Sequence, residues 1–576
     1  MKEGTVLKVL YLVTLAAVIS CSNPASEAVQ LATFCNPLDL SYRFMPIAPS
    51  RREAADPSVI RFKDRYYLFA SKSGGYWSSA DLVEWELIET DQIPTEEYAP
   101  TAIVLRDTVF FLASSKTKST IYKSADPLSG EFQIAKDSLE VAVWDPAFFQ
   151  DDDGQLYLYW GCSNVEPLYG VKIDDQNFEF QGDIQKVILP NPNRLGWEVR
   201  GDYNTRKDVA PWLEGPWMTK HKGKYYLQYA APGTLEKSYA DGVYVSDQPL
   251  GDFELQAHNP FALKPEGFIC GAGHGSTFQD EYQNLWHAGT MVISVKEKFE
   301  RRLGLFATFF DGDDVLFSST RFGDYPMAVP FGKVKDPNEL FTGWMLLSYQ
   351  KPVTSSSTLS EYPQRHINDE NVRSIWSAKT GDASEWVAID LEQESLIHAI
   401  QVNFAEVNSK LLKRPDNSFH AYTVEGSLDG QDWFMIANLS ENRDDRTHQY
   451  LTFDPVKARH VKVNNVSVPD GNFAMMGLRV FGIAEGKKPK LADEIIGKRS
   501  QQDPRDLALS WSSVPNATGY NIRYGIDPEK LYRNHLVYDS SAITIRSLDS
   551  KQDYYFAIEA FNESGVGELS QTSGPF

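Results

Sequence analysis

Three acidic residues occupy the same phase of a recurring sequence pattern. Asp56 lies in Ala54-Ala55-Asp56-Pro57-Ser58-Val59, ten residues before Tyr66. Asp145 lies in Trp144-Asp145-Pro146-Ala147-Phe148-Phe149, eleven before Leu156. Glu214 lies in Leu213-Glu214-Gly215-Pro216-Trp217, eleven before Tyr225. At that phase the second repeat has Ala99-Pro100-Thr101, and the fifth has Gly273-His274-Gly275, eleven before Leu285. Two carboxylates facing across a cleft suit hydrolysis of a glycosidic bond: one activates water as base and the other protonates the leaving oxygen. A third nearby carboxylate raises the pKa of the acid through like-charge repulsion and holds it in place. A single Asp before Pro would more simply cap a turn. Three acids at one phase of a repeat point to a shared cleft.

The elements that would position these acids are short strands. Aromatic or aliphatic runs begin at Tyr66, Val109, Leu156, Tyr225 and Leu285, spaced 43, 47, 69 and 60 residues apart. Each of the first, second and fourth is followed by a Ser/Asp turn and an aromatic: Ser79-Ala80-Asp81-Leu82 with Trp85, Ser124-Ala125-Asp126-Pro127 with Phe132, and Ser246-Asp247 with Phe253. This period, with no amphipathic helix between strands, predicts radially repeated four-stranded sheets, a five-bladed β-propeller. Residues close to the innermost strands of different blades then converge on one axis. The chain is expected to be all-β throughout, and its 13% aromatic content suits both β-structure and clefts that stack sugar rings.

Residues 35–345 are expected to form the propeller domain, and residues about 35–330 of it resemble glycoside hydrolase family 43, a five-bladed propeller family of inverting enzymes. The resemblance rests on the Ala-Asp-Pro-Ser segment at Asp56, the Trp-Asp-Pro-Ala segment at Asp145, the Glu-Gly-Pro segment at Glu214 and the Gly-His-Gly segment at His274. It implies that Asp56 is the general base, Asp145 tunes and orients the acid, and Glu214 is the general acid. It places His274 at the propeller centre, where it would bind substrate or help hold a calcium ion; calcium, however, prefers oxygen ligands. No cofactor is required, and a structural calcium is the one metal the resemblance suggests. Arg321, in Ser319-Thr320-Arg321-Phe322-Gly323, is similar to the family's arginine for substrate hydroxyls. Trp77 and Trp144 are candidates for stacking on sugar, and Trp217 for packing beneath the acid loop. Implied substrates are terminal α-L-arabinofuranosyl or β-D-xylosyl units, with β-D-galactosyl also in range, removed from plant polysaccharides. A retaining propeller glycosidase and a non-catalytic surface glycan-binding lipoprotein are the alternatives.

Beyond the polar run Thr354-Ser355-Ser356-Ser357-Thr358 the pattern changes to period-2 alternation, as in Trp386-Val387-Ala388-Ile389-Asp390-Leu391, which predicts an antiparallel sandwich. Residues 350–484 resemble a discoidin, or coagulation factor type C, domain similar to family 32 carbohydrate-binding modules, through Ser374-Ile375-Trp376-Ser377-Ala378 and Ser427-Leu428-Asp429-Gly430-Gln431-Asp432-Trp433. After the charged linker at 485–490, residues 500–576 resemble a fibronectin type III β-sandwich, with Trp511 in the core and Tyr554 as the corner tyrosine bonded to the backbone.

At the other end, Lys2 and Lys8 flank an apolar run from Val9 to Ile19 that stops at Val18-Ile19-Ser20-Cys21. This is too short to span a bilayer and reads as a lipoprotein signal peptide over residues 1–21, with Cys21 lipidated. The expected location is extracytoplasmic, lipid-anchored to a bacterial membrane. Cys35, Cys162 and Cys270 are left over, too few for a disulfide framework in 576 residues, and Cys162 and Cys270 read as small core residues. With 56 basic and 78 acidic residues the net charge is −22, which disfavours a nucleic-acid partner.

Overall fold

A computed structural model describes residues 32–576; the signal-peptide segment and Cys21 lie outside the described residues. The described residues hold strands and four short 3-10 turns. No helix among them is long and apolar enough to cross a membrane.

Five antiparallel sheets follow one another from Ala55 to Ser318. The first is Ala55–Phe62, Arg65–Ser71, Gly75–Ser79 and Glu86–Glu89. The second is Thr101–Leu105, Thr108–Leu112, Ile121–Ser124 and Gln133–Lys136. The third is Ala147–Gln150, Leu156–Trp160, Leu168–Ile173 and Phe180–Ile188. The fourth is Leu213–His221, Lys224–Ala231, Ala240–Ser246 and Glu254–Leu255, with Cys162–Ser163 paired to the inner edge of Leu213–His221. The fifth is Cys270–Gln279, Leu285–Val292, Arg301–Phe310 and Leu316–Ser318. The leading strand of each sheet touches the leading strand of the next, and that of the fifth returns to that of the first, so the five close a ring. The aromatic runs that mark the repeat in the sequence are the second strands. The leading strands are less conspicuous, being interrupted by Pro57 or reduced to Ala147–Gln150. Thr33–Phe34 pairs with Met327–Ala328 beyond the fifth sheet.

The second unit is an eight-stranded assembly organised around the long strands Trp386–Phe404, His448–Ser467 and Ala474–Ala484. Its apolar face buries Trp376, Ile389, Ile400, Val424, Val461, Phe473 and Leu478. The last unit has seven strands in two sheets, Ile496–Arg499, Leu507–Ser510 and Ala542–Ile545 against Arg533–Tyr538, Gly519–Gly525, Tyr555–Asn562 and Gly565–Val566. Trp511 is buried in its core, and Tyr554 Oη accepts a 2.9 Å bond from the Asp549 backbone N–H.

The units are not beads on linkers. Phe261, Phe268, Ile269 and Met291 of the ring share one apolar cluster with Val372, Ile375, Ala405 and Met476 of the second unit. Arg52, fully buried, reaches across to Glu406 at 2.7 Å and Asp445 at 2.8 Å. Breaking a buried pair strands a desolvated charge, so Glu406→Gln is expected to cost about 3 kcal/mol or more. A thermal melt should show this as a clear drop in apparent Tm, whereas an exposed pair such as Lys118–Asp137 should barely register when cut.

Candidate active site

The leading strands carry their functional residues on strained backbone. Asp56, Asp145 and His274 have φ of 53°, 50° and 39°, Gly215 beside Glu214 has φ 59°, and Ala99 at the matching place in the second sheet has φ 44°. Left-handed backbone at non-glycine residues costs of order 1 kcal/mol each and gathers at functional sites. It coincides here with shifts in strand register after Ala55, Glu214 and Gly273. These bulges turn side chains away from the sheet faces and toward the ring centre. At Gly215 only glycine fits: an added Cβ would lie 2.5 Å from His274 Cγ.

The structure brings Asp56, Asp145, Glu214 and His274 together. His274 Nδ1 lies 3.5 Å from Asp56 Oδ1 and 3.6 Å from Asp145 Oδ2. Candidate ligand atoms of Asp145, Cys162 and Glu214 all fall within 4.8 Å of one another. All three acids are nearly buried, yet their surroundings differ. Asp56 Oδ2 accepts from Ser71 Oγ at 2.6 Å, and Arg301 Nη1 stands 3.3 Å from its Oδ1. Burial pushes its carboxyl up, but the Arg301 guanidinium, His274 and the Ser71 and Thr290 hydroxyls together outweigh that and hold it below the usual aspartate range. Asp145 accepts a long bond from Ser114 Oγ at 3.3 Å. Burial, with Glu214 and Asp56 adding negative charge, raises it despite His274. Glu214 Oε1 accepts from Tyr239 Oη at 2.5 Å and Oε2 from Cys162 Sγ at 3.2 Å.

His274 resists desolvation by standing among Asp56, Asp145, Glu214 and Asp241, so its proton is held more tightly than in water. Its backbone N–H donates to Asp241 Oδ1 at 2.7 Å, which fixes the ring in the centre. The donor set does not fit direct ligation of calcium by His274. Calcium takes six to eight oxygens, and the nearby Asp56 oxygens are already engaged by Ser71 and Arg301. His274 is placed instead as a positive spacer between two carboxylates.

Two expected substrate contacts lie elsewhere. Trp77 is fully buried, with Nε1 bonded to Ser41 Oγ at 3.2 Å, because its strand Gly75–Ser79 is the third from the axis and its ring packs between layers. Arg321 follows the outermost strand of the fifth sheet and pairs with Glu559 of the last unit, Nε–Oε1 2.5 Å and Nη2–Oε2 2.9 Å. Trp144 is half-buried beside Asp145 and lines a groove with Ser114 and Tyr98. Trp217 donates from Nε1 to the Thr277 carbonyl at 3.0 Å, tying the strand that carries Glu214 to the fifth sheet.

Sequence reasoning missed Arg301, Tyr239 and Cys162. Cys162 is not a core residue but a side chain of the site, placed there because Cys162–Ser163 pairs with the start of the Glu214 strand. Arg301 had a signal: two adjacent arginines open a strand that is otherwise apolar, and both are buried.

Residues 46–299 match the model for glycosyl hydrolases family 43, and residues 352–478 match the F5/8 type C domain. A xylosidase/arabinosidase of Butyrivibrio fibrisolvens is 27% identical over 253 residues, covering 39% of this chain and 46% of that protein. A beta-D-galactofuranosidase of Aspergillus niger is 25% identical over 279 residues, covering 40% of this chain and 72% of that protein. This chain therefore spans under half the length of the first of these relatives. A crystal structure of a thermostable family-43 glycoside hydrolase aligns with 24% identity and a TM-score of 0.43 over 52% of this chain and all of that one. The ring that carries Asp56, Asp145 and Glu214 thus holds a glycosyl hydrolases family 43 domain at residues 46–299, and the unit after it holds an F5/8 type C domain at residues 352–478.

Proposed function

We propose that this chain is an inverting, exo-acting glycoside hydrolase on a five-bladed β-propeller, removing terminal sugars from plant polysaccharides. The observation that carries the reading is the contrast between the acids at the ring centre. Asp56 is kept ionised by Arg301, while burial and the like charges of Glu214 and Asp56 favour a proton on Asp145. Environments that push neighbouring carboxyls apart in this way separate a base from an acid. Asp56 would draw the proton from the attacking water, Glu214 would protonate the leaving oxygen, and Asp145 would keep the proton available on that side. The new C–O bond forms on the face opposite the one that breaks, so the anomeric configuration inverts.

α-L-Arabinofuranosides and β-D-xylosides are the first substrates to test, and β-D-galactosides, including the furanose form named for one relative, the next. We read the last unit as a fibronectin type III sandwich and the chain as lipid-anchored through Cys21 on an extracytoplasmic membrane. The partner is a polysaccharide. The test is turnover of an aryl-glycoside and oligosaccharide panel by the wild type beside Glu214→Gln. Glu214→Gln keeps the shape but has no proton to give, so hydrolysis with poor leaving groups should fall by roughly 10²-fold or more. Equal rates for both proteins would remove Glu214 from the mechanism.

A further inference from the structure

A groove of about 500 Å³ lies along the second sheet, lined by Ser114, Trp144 and Tyr98 among others, a size suited to a small ligand. Ser114 forms part of its floor and also bonds Asp145, donating from Oγ to Oδ1 and accepting from the Asp145 N–H at 2.9 Å. Trp144, immediately before Asp145, forms one wall, and Tyr98 another. The Arg301 guanidinium that pairs with Asp56 lies over the Tyr98 ring, 5.8 Å from its centroid. The groove therefore adjoins Asp145 through Ser114 and Trp144 and the Arg301–Asp56 pair through Tyr98, and has aromatic rings suited to sugar faces.

Its charge runs against that of the chain. The lining residues include Lys116, Lys118 and a single acid, Glu97, whereas the chain as a whole carries −22. Lys118 is paired with Asp137 at 2.6 Å. Lys72 lies over Tyr98 and donates to the Glu96 carbonyl. Lys116 is exposed, makes no ion pair among the described residues, and rests with Nζ 5.5 Å from the Trp144 ring centroid. An ammonium held only by an aromatic face can exchange that contact for a carboxylate at little cost.

We propose that this groove receives the leaving-group side of the glycan and that Lys116 selects a uronic acid there, so that the preferred substrate is an acidic, uronate-decorated polysaccharide. This rests on the glycosidase reading above, which assigns the adjoining carboxylates to bond cleavage. A sugar stacked on Trp144 would displace Lys116 from the ring and bring it to the sugar's rim, where a carboxylate accepts its hydrogens. Glu97 sets a limit, disfavouring a second negative charge on the same sugar.

The test is calorimetric binding to the Glu214→Gln protein, which does not depend on turnover. The probes are xylotriose and xylotriose bearing one glucuronic acid, at low and high salt. The expected result is tighter binding of the acidic probe by about 10-fold at low salt, the scale of one charged hydrogen bond. That preference should shrink at high salt, vanish in Glu214→Gln/Lys116→Met and persist in Glu214→Gln/Lys116→Arg. Equal affinities, no binding of either probe, or a preference that survives Lys116→Met would overturn it. Aryl-glycoside hydrolysis by the wild type reports separately on the glycosidase reading, so the two can fail independently.

Discussion

Asp56→Asn is expected to lower kcat by about 10³-fold, within the 10²–10⁴ range for losing a positioned general base. The amide keeps the volume and can still accept from Ser71, which in the wild type donates to Asp56 Oδ2 at 2.6 Å. It cannot take a proton from water. KM for an oligosaccharide should change little, because the loss falls on the transition state and not on ground-state binding. The check is kcat and KM on the best substrate of the panel. A variant with near wild-type kcat would show that the proton goes elsewhere.

The second large effect concerns pH. Activity needs Asp56 ionised and a proton on the Asp145–Glu214 side, so kcat/KM should be bell-shaped. Asp56 sits below the usual aspartate range, so the acid limb should lie in that low region: protonation begins to disable the base only as pH falls through its lowered pKa. Asp145 is raised, so the proton on its side persists to higher pH than an ordinary carboxyl allows, and the alkaline limb follows its loss. Arg301→Met removes the largest influence opposing burial at Asp56. The Asp56 pKa then rises, and the acid limb should move up by roughly 1–3 pH units. Arg301→Lys should fall between, which separates a charge effect from damage to Glu53, the other buried acid that Arg301 holds, at 2.6 Å. An acid limb unmoved in Arg301→Met would mean that Asp56 does not set it.

How far the sequence foretells this site depends on whether a residue's partners recur with the repeat. Asp56, Asp145 and Glu214 are legible because the repeat places each at a similar phase, with left-handed backbone at Asp56, at Asp145 and at Gly215 beside Glu214. Tyr239 and Cys162 touch Glu214 from other phases of the repeat, so nothing local marks them, and Arg301, which reaches Asp56, shows only as one of two adjacent arginines opening a strand. Arg321 and Trp77 mislead for the opposite reason. A guanidinium after a strand, or an indole within one, fits a sugar site as well as a structural one. What settles each is a distant partner: Glu559, 238 positions away, for Arg321, and Ser41, 36 positions away, for Trp77. The strand pattern likewise reveals three units but not their fusion. The shared apolar cluster and the Arg52 pairs depend on residues far apart in sequence whose apolar or charged character is ordinary in isolation.

The most direct test is the stereochemistry of the first-formed product, followed by proton NMR during hydrolysis of an aryl glycoside or oligosaccharide. An anomer of inverted configuration, appearing before mutarotation and absent with Asp56→Asn, is the result this arrangement of base, spacer and acid requires. A first-formed anomer of retained configuration would make one carboxylate a nucleophile, and would contradict the assignment of Asp56 as the base that activates water.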